Sequence, residues 1–150
     1  MDDILNFYQS SSLIGTAGQP TREQFGLIAG QSYSAVINLA MPDSDNAIAD
    51  EGALVTALGM TYIHLPVPFE APSAQHVGCF FRVMNALEGD RVFVHCALNA
   101  RVSAFMYKYL TLQKGASPEE STSPLLAQWL PRMDQAWQSI LELDRNDIEA

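Results

Sequence analysis

Cysteine is scarce in this chain of 150 residues: only Cys79 and Cys96 occur, far apart and in no CxxC or metal-ligand spacing. Their scarcity excludes a disulfide framework and fits a reducing compartment. Long apolar runs are also absent, since none approaches the roughly 18 residues of a membrane span. The acidic start at residues 1–3 lacks the basic and apolar regions of a secretion signal. We therefore expect a cytoplasmic protein with no membrane segment.

Basic residues are few as well. Eight Lys and Arg stand against 17 Asp and Glu, which gives a formal net charge of −9. The field of such a chain repels nucleic acid and anionic membrane surfaces, so neither is expected as a partner. Between Arg91 and Lys114, however, the chain has four basic residues and no acidic one. This stretch is where a small anion is most readily bound.

What is present is the composition of a globular domain. Hydrophobic residues make up 48% and charged residues 17%, and a chain of this length can bury a core without metal or disulfides. No repeat, low-complexity tract or linker interrupts it. We predict a single domain over residues 1–150.

Segments typical of strands and helices alternate along the chain. Apolar runs predict buried strands over 33–39, 60–65 and 91–95. Helices are predicted between and after these strands: one after the capping box of Thr21 and Gln24, one ending at Gly59, one from Ser73 to Gly89, one over about 102–114, and C-terminal helices over about 119–143. A turn is expected at 117–120, and a frayed end from Asp144.

This alternation predicts an α/β fold, in which a central, mostly parallel sheet of about four to five strands is flanked by helices in three layers. Ligands of such sheets bind beyond the carboxyl ends of the strands, here after Leu39, Leu65 and His95. The acidic stretch from Asp43 to Glu51 is interpreted as a solvated loop and helix N-terminus.

The strand that ends at His95 carries the clearest chemical signal. Cys96 follows it directly, and a short loop leads into a buried helix. The loop's backbone N–H groups would converge above the sulfur, where the helix dipole adds positive potential. Such surroundings favour a thiolate and bind an oxyanion. The four residues that would supply these amides are Ala97, Leu98, Asn99 and Ala100.

Three side chains of this segment suit the same chemistry. Asn99 tolerates a left-handed conformation in a tight loop. Arg101 is a bidentate clamp for phosphate or sulfate oxygens. Ser103, just inside the helix, could donate to the sulfur or stabilise it as a leaving group. The structural alternative is that Cys96 is only a small buried residue of the core.

The segment His95-Cys96-x-x-Asn99-x-Arg101-x-Ser103 resembles the phosphate-binding loop of the protein tyrosine phosphatase superfamily, His-Cys-x5-Arg-Ser/Thr. The segments 15–21, 36–39 and 62–66 look like the compact bacterial dual-specificity-like phosphatases, a group that includes β-lactamase-hydrolase-like domains. The resemblance covers about residues 12–113. It implies a phosphatase-like domain without cofactor or metal, with His95 fixing the loop by hydrogen bonding.

The spacing from Cys96 to Arg101 is C-x4-R, one residue shorter than the phosphatase pattern. That length matches the Cys-x-x-Gly-x-Arg loop of rhodanese-type sulfurtransferases, with Asn99 in place of Gly. Three functions are therefore open. The first is a cysteine-dependent phosphatase that hydrolyses phosphomonoesters through a phosphocysteine. The second is a sulfurtransferase with a persulfide on Cys96, and the third is a catalytically impaired module that binds an anionic ligand.

A phosphatase also needs a general acid for the leaving group. Glu70 is the only acid in the Pro-rich loop 66–72, and Asp43 and Asp45 are in reserve. His64 and Cys79 are interpreted as structural, and Trp129 and Trp137 as core or interface residues. The substrate is expected to be a small phosphorylated or otherwise anionic molecule. Its identity and the oligomeric state stay open.

Overall fold

Five strands form one sheet in the computed structural model, which describes residues 1–149. They are β1 (Tyr8–Gln9), β2 (Ile14–Ala17), β3 (Ala35–Asn38), β4 (Thr61–His64) and β5 (Val92–His95). In the order β1-β2-β5-β3-β4, every neighbouring pair is parallel except β1 with β2. The predicted mostly parallel sheet is confirmed. The strands β1 and β2 were not among those predicted, because runs of two and four residues show too little periodicity.

The sheet separates two layers of helices and two apolar clusters. The helices are α1 (Arg22–Gly30), α2 (Glu51–Ala57), α3 (Ala74–Ala86), α4 (Ala100–Gln113), α5 (Pro118–Ser121), α6 (Pro124–Trp129), α7 (Gln135–Glu142) and α8 (Arg145–Glu149), with a 3-10 turn at Leu130–Arg132. Alternate strand residues face opposite sides. Val36 and Phe93 belong to the cluster of α1, whereas Ile37 and Val94 belong to the larger cluster of α3, α4 and α7. The predicted three layers are confirmed.

The predicted helix ends agree with the structure at several points. Thr21 and Gln24 form the expected capping box of α1, and Ser73 caps α3 with His76 in the position usual for Glu. Gly59 follows α2 with a φ of +88°, a left-handed conformation that favours glycine. The helix predicted from the acidic stretch begins only at Glu51.

The expected frayed C-terminus is wrong. Asp144 and Asp147 each accept a hydrogen bond from the other's backbone N–H, at 3.0 and 2.9 Å, and this reciprocal cap starts α8. Ile148 is buried in the larger apolar cluster. The expected turn at 117–120 is the single helical turn α5. Ala150 lies outside the described residues.

No helix within residues 1–149 has both the length and the apolar character needed to cross a membrane.

Lys108 lies in the buried helix α4, and its ammonium group is bound by main-chain carbonyl oxygens. Its Nζ donates to the carbonyls of Leu141 and Leu143, at 2.9 and 2.6 Å, where α7 ends. Burial lowers the pKa of Lys108 from its ordinary value. This side chain therefore caps α7 and fastens it to α4.

The substitution Lys108→Met should destabilise the fold, because it keeps much of the side-chain volume but leaves two carbonyls without their donor. We expect the free energy of unfolding to fall by about 1–3 kcal/mol in urea denaturation. The matched control is Lys114→Met at the end of the same helix, where the ammonium is exposed and paired with Glu88. The control should unfold like the wild type. Equal stability of both variants would contradict the capping role.

Candidate active site

The loop between β5 and α4 lies at the carboxyl end of the sheet's middle strand. Its first residue, Cys96, is buried in the larger apolar cluster. Asn99 has a φ of +73° and is the N-cap of α4, which confirms the expected left-handed conformation. Its Nδ2 donates to the carbonyl of Asn6 at 2.8 Å and to Oγ1 of Thr16 at 3.3 Å. The Asn99 side chain thus fastens this turn to the N-terminal segment and to strand β2.

Three successive carbonyls of this loop are bound by donors that lie outside it. His95 Nδ1 is 3.0 Å from the carbonyl oxygen of Cys96. The Ala97 carbonyl accepts from the Gln19 backbone N–H at 3.0 Å and from Asn46 Nδ2 at 3.1 Å. The Leu98 carbonyl accepts from Asn6 Nδ2 at 2.9 Å. We call these four donors the carbonyl clamps.

The carbonyl clamps determine where the loop's amides point. In a planar trans peptide, the carbonyl of one residue and the N–H of the next point in opposite directions. The N–H groups of Ala97, Leu98 and Asn99 therefore face away from the clamps, and within residues 1–149 none of the three has an acceptor. Converging amides at the N-terminus of a helix form an anion-binding cradle. The loop geometry fits the expected oxyanion site.

The close approach of Gly18 to this loop explains why no side chain stands there. A Cβ on Gly18 would lie 2.6 Å from the carbonyl oxygen of Ala97. That distance is far inside contact, and the opposing atom is backbone that is already held by Gln19. A larger residue at 18 would have to displace the loop.

A buried carboxylate lies behind the loop. Glu51 is only 3% exposed, its Oε2 is 2.7 Å from His95 Nε2, and its Oε1 accepts from Gln19 Nε2 at 2.6 Å. Burial, together with the nearby Glu51 charge, raises the pKa of Tyr62 to about 12, and the Tyr62 hydroxyl accepts a hydrogen bond from Asn38 Nδ2 at 3.0 Å. Burial alone would raise the pKa of Glu51, but the hydrogen bonds and charge of these partners hold it below its ordinary value.

The interpretation of Glu51 as a solvated helix start is therefore wrong. The signal that could have found it is spacing: Leu54 and Val55 stand three and four residues later, so Glu51 shares the inward face of α2 with them. Adjacent Asp50, in contrast, is exposed and paired with Arg22. The position on the helix, not the residue type, separates the two acids.

The Arg101 side chain is bound to the Pro-rich loop after β4. Its Nη1 donates to the carbonyl of Val67 at 2.9 Å, and the guanidinium carbon lies 5.9 Å from the ring centre of Phe69. Phe69 is in turn held by the C-terminal helices, because Trp137 Nε1 donates to its carbonyl at 2.7 Å. Arg101, at the start of α4, thus connects the loop after β5 with the loop that carries Glu70.

The other predicted site residues make no contact with Cys96 or Arg101 among the hydrogen bonds of residues 1–149. Ser103 Oγ donates to the carbonyl of Ala100 at 2.7 Å rather than to the sulfur. Glu70 is exposed, as are the reserve acids Asp43 and Asp45. His64 Nε2 is 2.7 Å from the carbonyl of Ala40, in agreement with a structural role.

Residues 1–149 bring together no group of three or more His, Cys, Asp or Glu side chains that could hold a metal ion. The site itself combines the Cys96 thiol with three loop amides that have no acceptor, one arginine and a buried histidine–carboxylate pair.

A comparison of the sequence with models of protein families shows which family the chain belongs to. The model of the family described as DSP-PTPase phosphatase fused to NAD+ kinase matches residues 3–145. The chain belongs to this family. It is accordingly a cysteine-dependent phosphatase of the dual-specificity-like type, within the protein tyrosine phosphatase superfamily, and the sulfurtransferase alternative is not favoured.

Solved structures support the same fold. A DUF442 protein of Shewanella putrefaciens CN-32, assigned to the phosphatases, is 33% identical, covers 93% of this chain and 91% of its own, and superposes with a TM-score of 0.84. The catalytic domain of the S. cerevisiae PP-IP phosphatase SIW14 is 13% identical, with coverages of 97% and 90% and a TM-score of 0.75. TpbA of P. aeruginosa in complex with pTyr is 16% identical, with coverages of 97% and 79% and a TM-score of 0.66. A search of the curated proteins finds no match.

The substitution Gly18→Ala should weaken anion binding, because its Cβ would push the Ala97 carbonyl out of position. We expect the Kd for orthovanadate, measured by calorimetry, to rise about tenfold or more, as expected when a loop amide is misdirected. Gly26→Ala is the matched control, since a Cβ there meets nothing within 4 Å. Wild-type affinity in Gly18→Ala would refute the account of the carbonyl clamps.

Proposed function

We propose that this phosphatase hydrolyses small phosphomonoesters with Cys96 as its nucleophile. The thiolate sulfur attacks phosphorus, so that an S–P bond forms while the bond from phosphorus to the ester oxygen breaks. The leaving oxygen takes a proton from a general acid. Water then attacks the phosphocysteine, the S–P bond breaks with its electron pair returning to sulfur, and inorganic phosphate is released.

One observation carries this proposal: the amides of Ala97, Leu98 and Asn99, which stand at the N-terminus of α4 directly after Cys96, have no acceptor within residues 1–149. Donors preorganised in this way stabilise charge on the phosphoryl oxygens without reorganisation during the reaction. The amide of Ala100 continues the same cradle at the first residue of α4. A thiolate at the same point gains from the helix dipole.

Two side chains supply further donors in this proposal. Arg101 uses Nη1 for the Val67 carbonyl, and its remaining guanidinium N–H groups bind the phosphoryl oxygens. The Ser103 hydroxyl can rotate from the Ala100 carbonyl to the sulfur, where a hydrogen bond stabilises the thiolate as it leaves phosphorus. His95 fixes the loop through the Cys96 carbonyl.

Charge supports a small substrate. With a net charge of −9, the chain repels nucleic acid and other large polyanions, so the anion is bound by local donors. The scarcity of cysteine agrees with a cytoplasmic location. The proposal therefore includes a cytoplasmic location and, as the substrate class, phosphorylated small molecules or phosphorylated side chains.

Replacing Cys96 should abolish turnover. With para-nitrophenyl phosphate we expect Cys96→Ser to lose a factor on the order of a thousand or more in kcat/KM. Arg101→Lys should lose about a hundredfold, because lysine cannot bind phosphate in a bidentate manner. Cys79→Ser, the matched control on α3, should retain wild-type activity. If the wild-type protein shows no turnover at any pH from about 5 to 8, the proposal is refuted.

Glu70 is the proposed general acid. It follows Phe69 in the loop whose Val67 carbonyl is bound by Arg101, so the phosphate-binding arginine and this carboxyl group are carried on connected segments. Asp45 is the competing acid, because its neighbour Asn46 reaches the Ala97 carbonyl from the loop after β3. Both side chains are exposed and free to approach a bound ester.

Leaving groups of different basicity separate these two acids. Glu70→Gln should slow phenyl phosphate hydrolysis about a hundredfold and affect an activated fluorinated aryl ester much less, since only a basic alkoxide or phenoxide requires protonation. Asp45→Asn is the matched comparison and should leave both rates unchanged. A selective loss in Asp45→Asn instead of Glu70→Gln would transfer the role to Asp45.

A further inference from the structure

The proposed reaction makes no use of the most deeply buried carboxylate near the loop. Glu51 and His95 are 3% and 0% exposed, and the Glu51 carboxylate lies 2.7 Å from His95 Nε2 inside the fold. A buried pair of this kind is weak support for stability on its own, because the desolvation of two charges offsets much of their attraction. The contacts of the pair point to another use.

Both ring nitrogens of His95 face hydrogen-bond acceptors. Nε2 is 2.7 Å from Glu51 Oε2, and Nδ1 is 3.0 Å from the carbonyl oxygen of Cys96. A neutral imidazole has only one N–H and would leave one of these contacts without a proton. The ring that satisfies both is the imidazolium, and Glu51 supplies its counter-charge. Phe25 of α1 packs edge-on against the ring, with 5.9 Å between ring centres, and Asn38 is the register partner of His95 on the neighbouring strand β3.

Glu51 also reaches a second part of the loop. Its Oε1 accepts from Gln19 Nε2 at 2.6 Å, and the backbone N–H of Gln19 donates to the Ala97 carbonyl. Two of the four carbonyl clamps, on successive peptides, therefore depend on one carboxylate. No other acid among the described residues has contacts with both.

We propose that Glu51 is a positioning residue that keeps His95 doubly protonated and, through His95 and Gln19, fixes the Cys96 and Ala97 carbonyls. This orients the amides of Ala97 and Leu98 toward the bound anion and places a positive charge against the Cys96 carbonyl. The role in catalysis rests on the proposed function, whereas the effect on His95 and on the thiol does not.

The first test compares Glu51→Gln with the matched control Asp50→Asn, which makes the same change of charge one residue earlier on an exposed side chain. A glutamine at 51 can still accept from Gln19 and can donate to Nε2, so His95 keeps its place but loses its proton there. We expect kcat/KM to fall about tenfold or more. The pH midpoint for alkylation of Cys96 by iodoacetamide should rise by about one unit. Asp50→Asn should match the wild type in both measurements.

The alkylation profile separates a positioning role from a merely structural one. A structural role would lower thermal stability while leaving the pH dependence of Cys96 alkylation in the folded protein unchanged, and that outcome overturns the proposal. In a His95→Asn background, Glu51→Gln should add less than about a twofold change in kcat/KM, because a glutamine at 51 still accepts from Gln19 and the contact with the imidazole is already gone. Additive losses in the double variant would also contradict it.

A second measurement needs no variant and no turnover. Nitrogen NMR of the wild-type protein at about pH 7, where an unperturbed histidine is mostly neutral, should show protons on both ring nitrogens of His95. A neutral His95 ring would overturn the proposal even if Glu51→Gln failed to fold. Conversely, loss of the proposed function, with no phosphatase activity in the wild type, leaves the NMR and alkylation results fully interpretable.

Discussion

The planarity of three peptide units is the constraint on which this site depends. Because the carbonyls of Cys96, Ala97 and Leu98 are bound from outside the loop, the following amides point away from those donors. The donors come from the N-terminal segment, the turn before α1, the loop after β3 and the end of β5, so the proposed anion site depends on several segments at the carboxyl edge of the sheet.

The same edge carries a second group of contacts, which hold the arginine. Arg101 is bound to the loop after β4 through the Val67 carbonyl, and Trp137 of α7 holds the neighbouring Phe69 carbonyl. Helices that follow α4 in the chain thereby support the position of Arg101, the proposed phosphate-binding arginine. Lys108 fastens α7 to the buried helix α4 through the carbonyls of Leu141 and Leu143. The C-terminal helices are thereby held in the position from which Trp137 contacts the loop after β4.

The fold and the loop could be predicted from local signals, but the contacts between distant segments could not. Strand and helix alternation is written in the periodicity of apolar residues, and the left-handed Asn99 follows from its residue type. Glu51 and His95, which form one pair, lie 44 positions apart in the sequence. The residues around Glu51 alone predict a solvated acid at the start of a helix. The pairing of Asp144 with Asp147 was readable as a cap, yet its position near the chain end favoured fraying.

The shortened C-x4-R spacing does not remove the phosphatase chemistry, because the amides, rather than the arginine's position in sequence, form the cradle. In the proposed reaction, phosphate passes through Cys96. The most direct test of this step is acid quenching of the protein during turnover, followed by mass spectrometry of the Cys96 peptide. We expect a phosphorylated Cys96 that forms and decays at the rate of turnover. Turnover without phosphate on Cys96, or with phosphate on another residue, would contradict it.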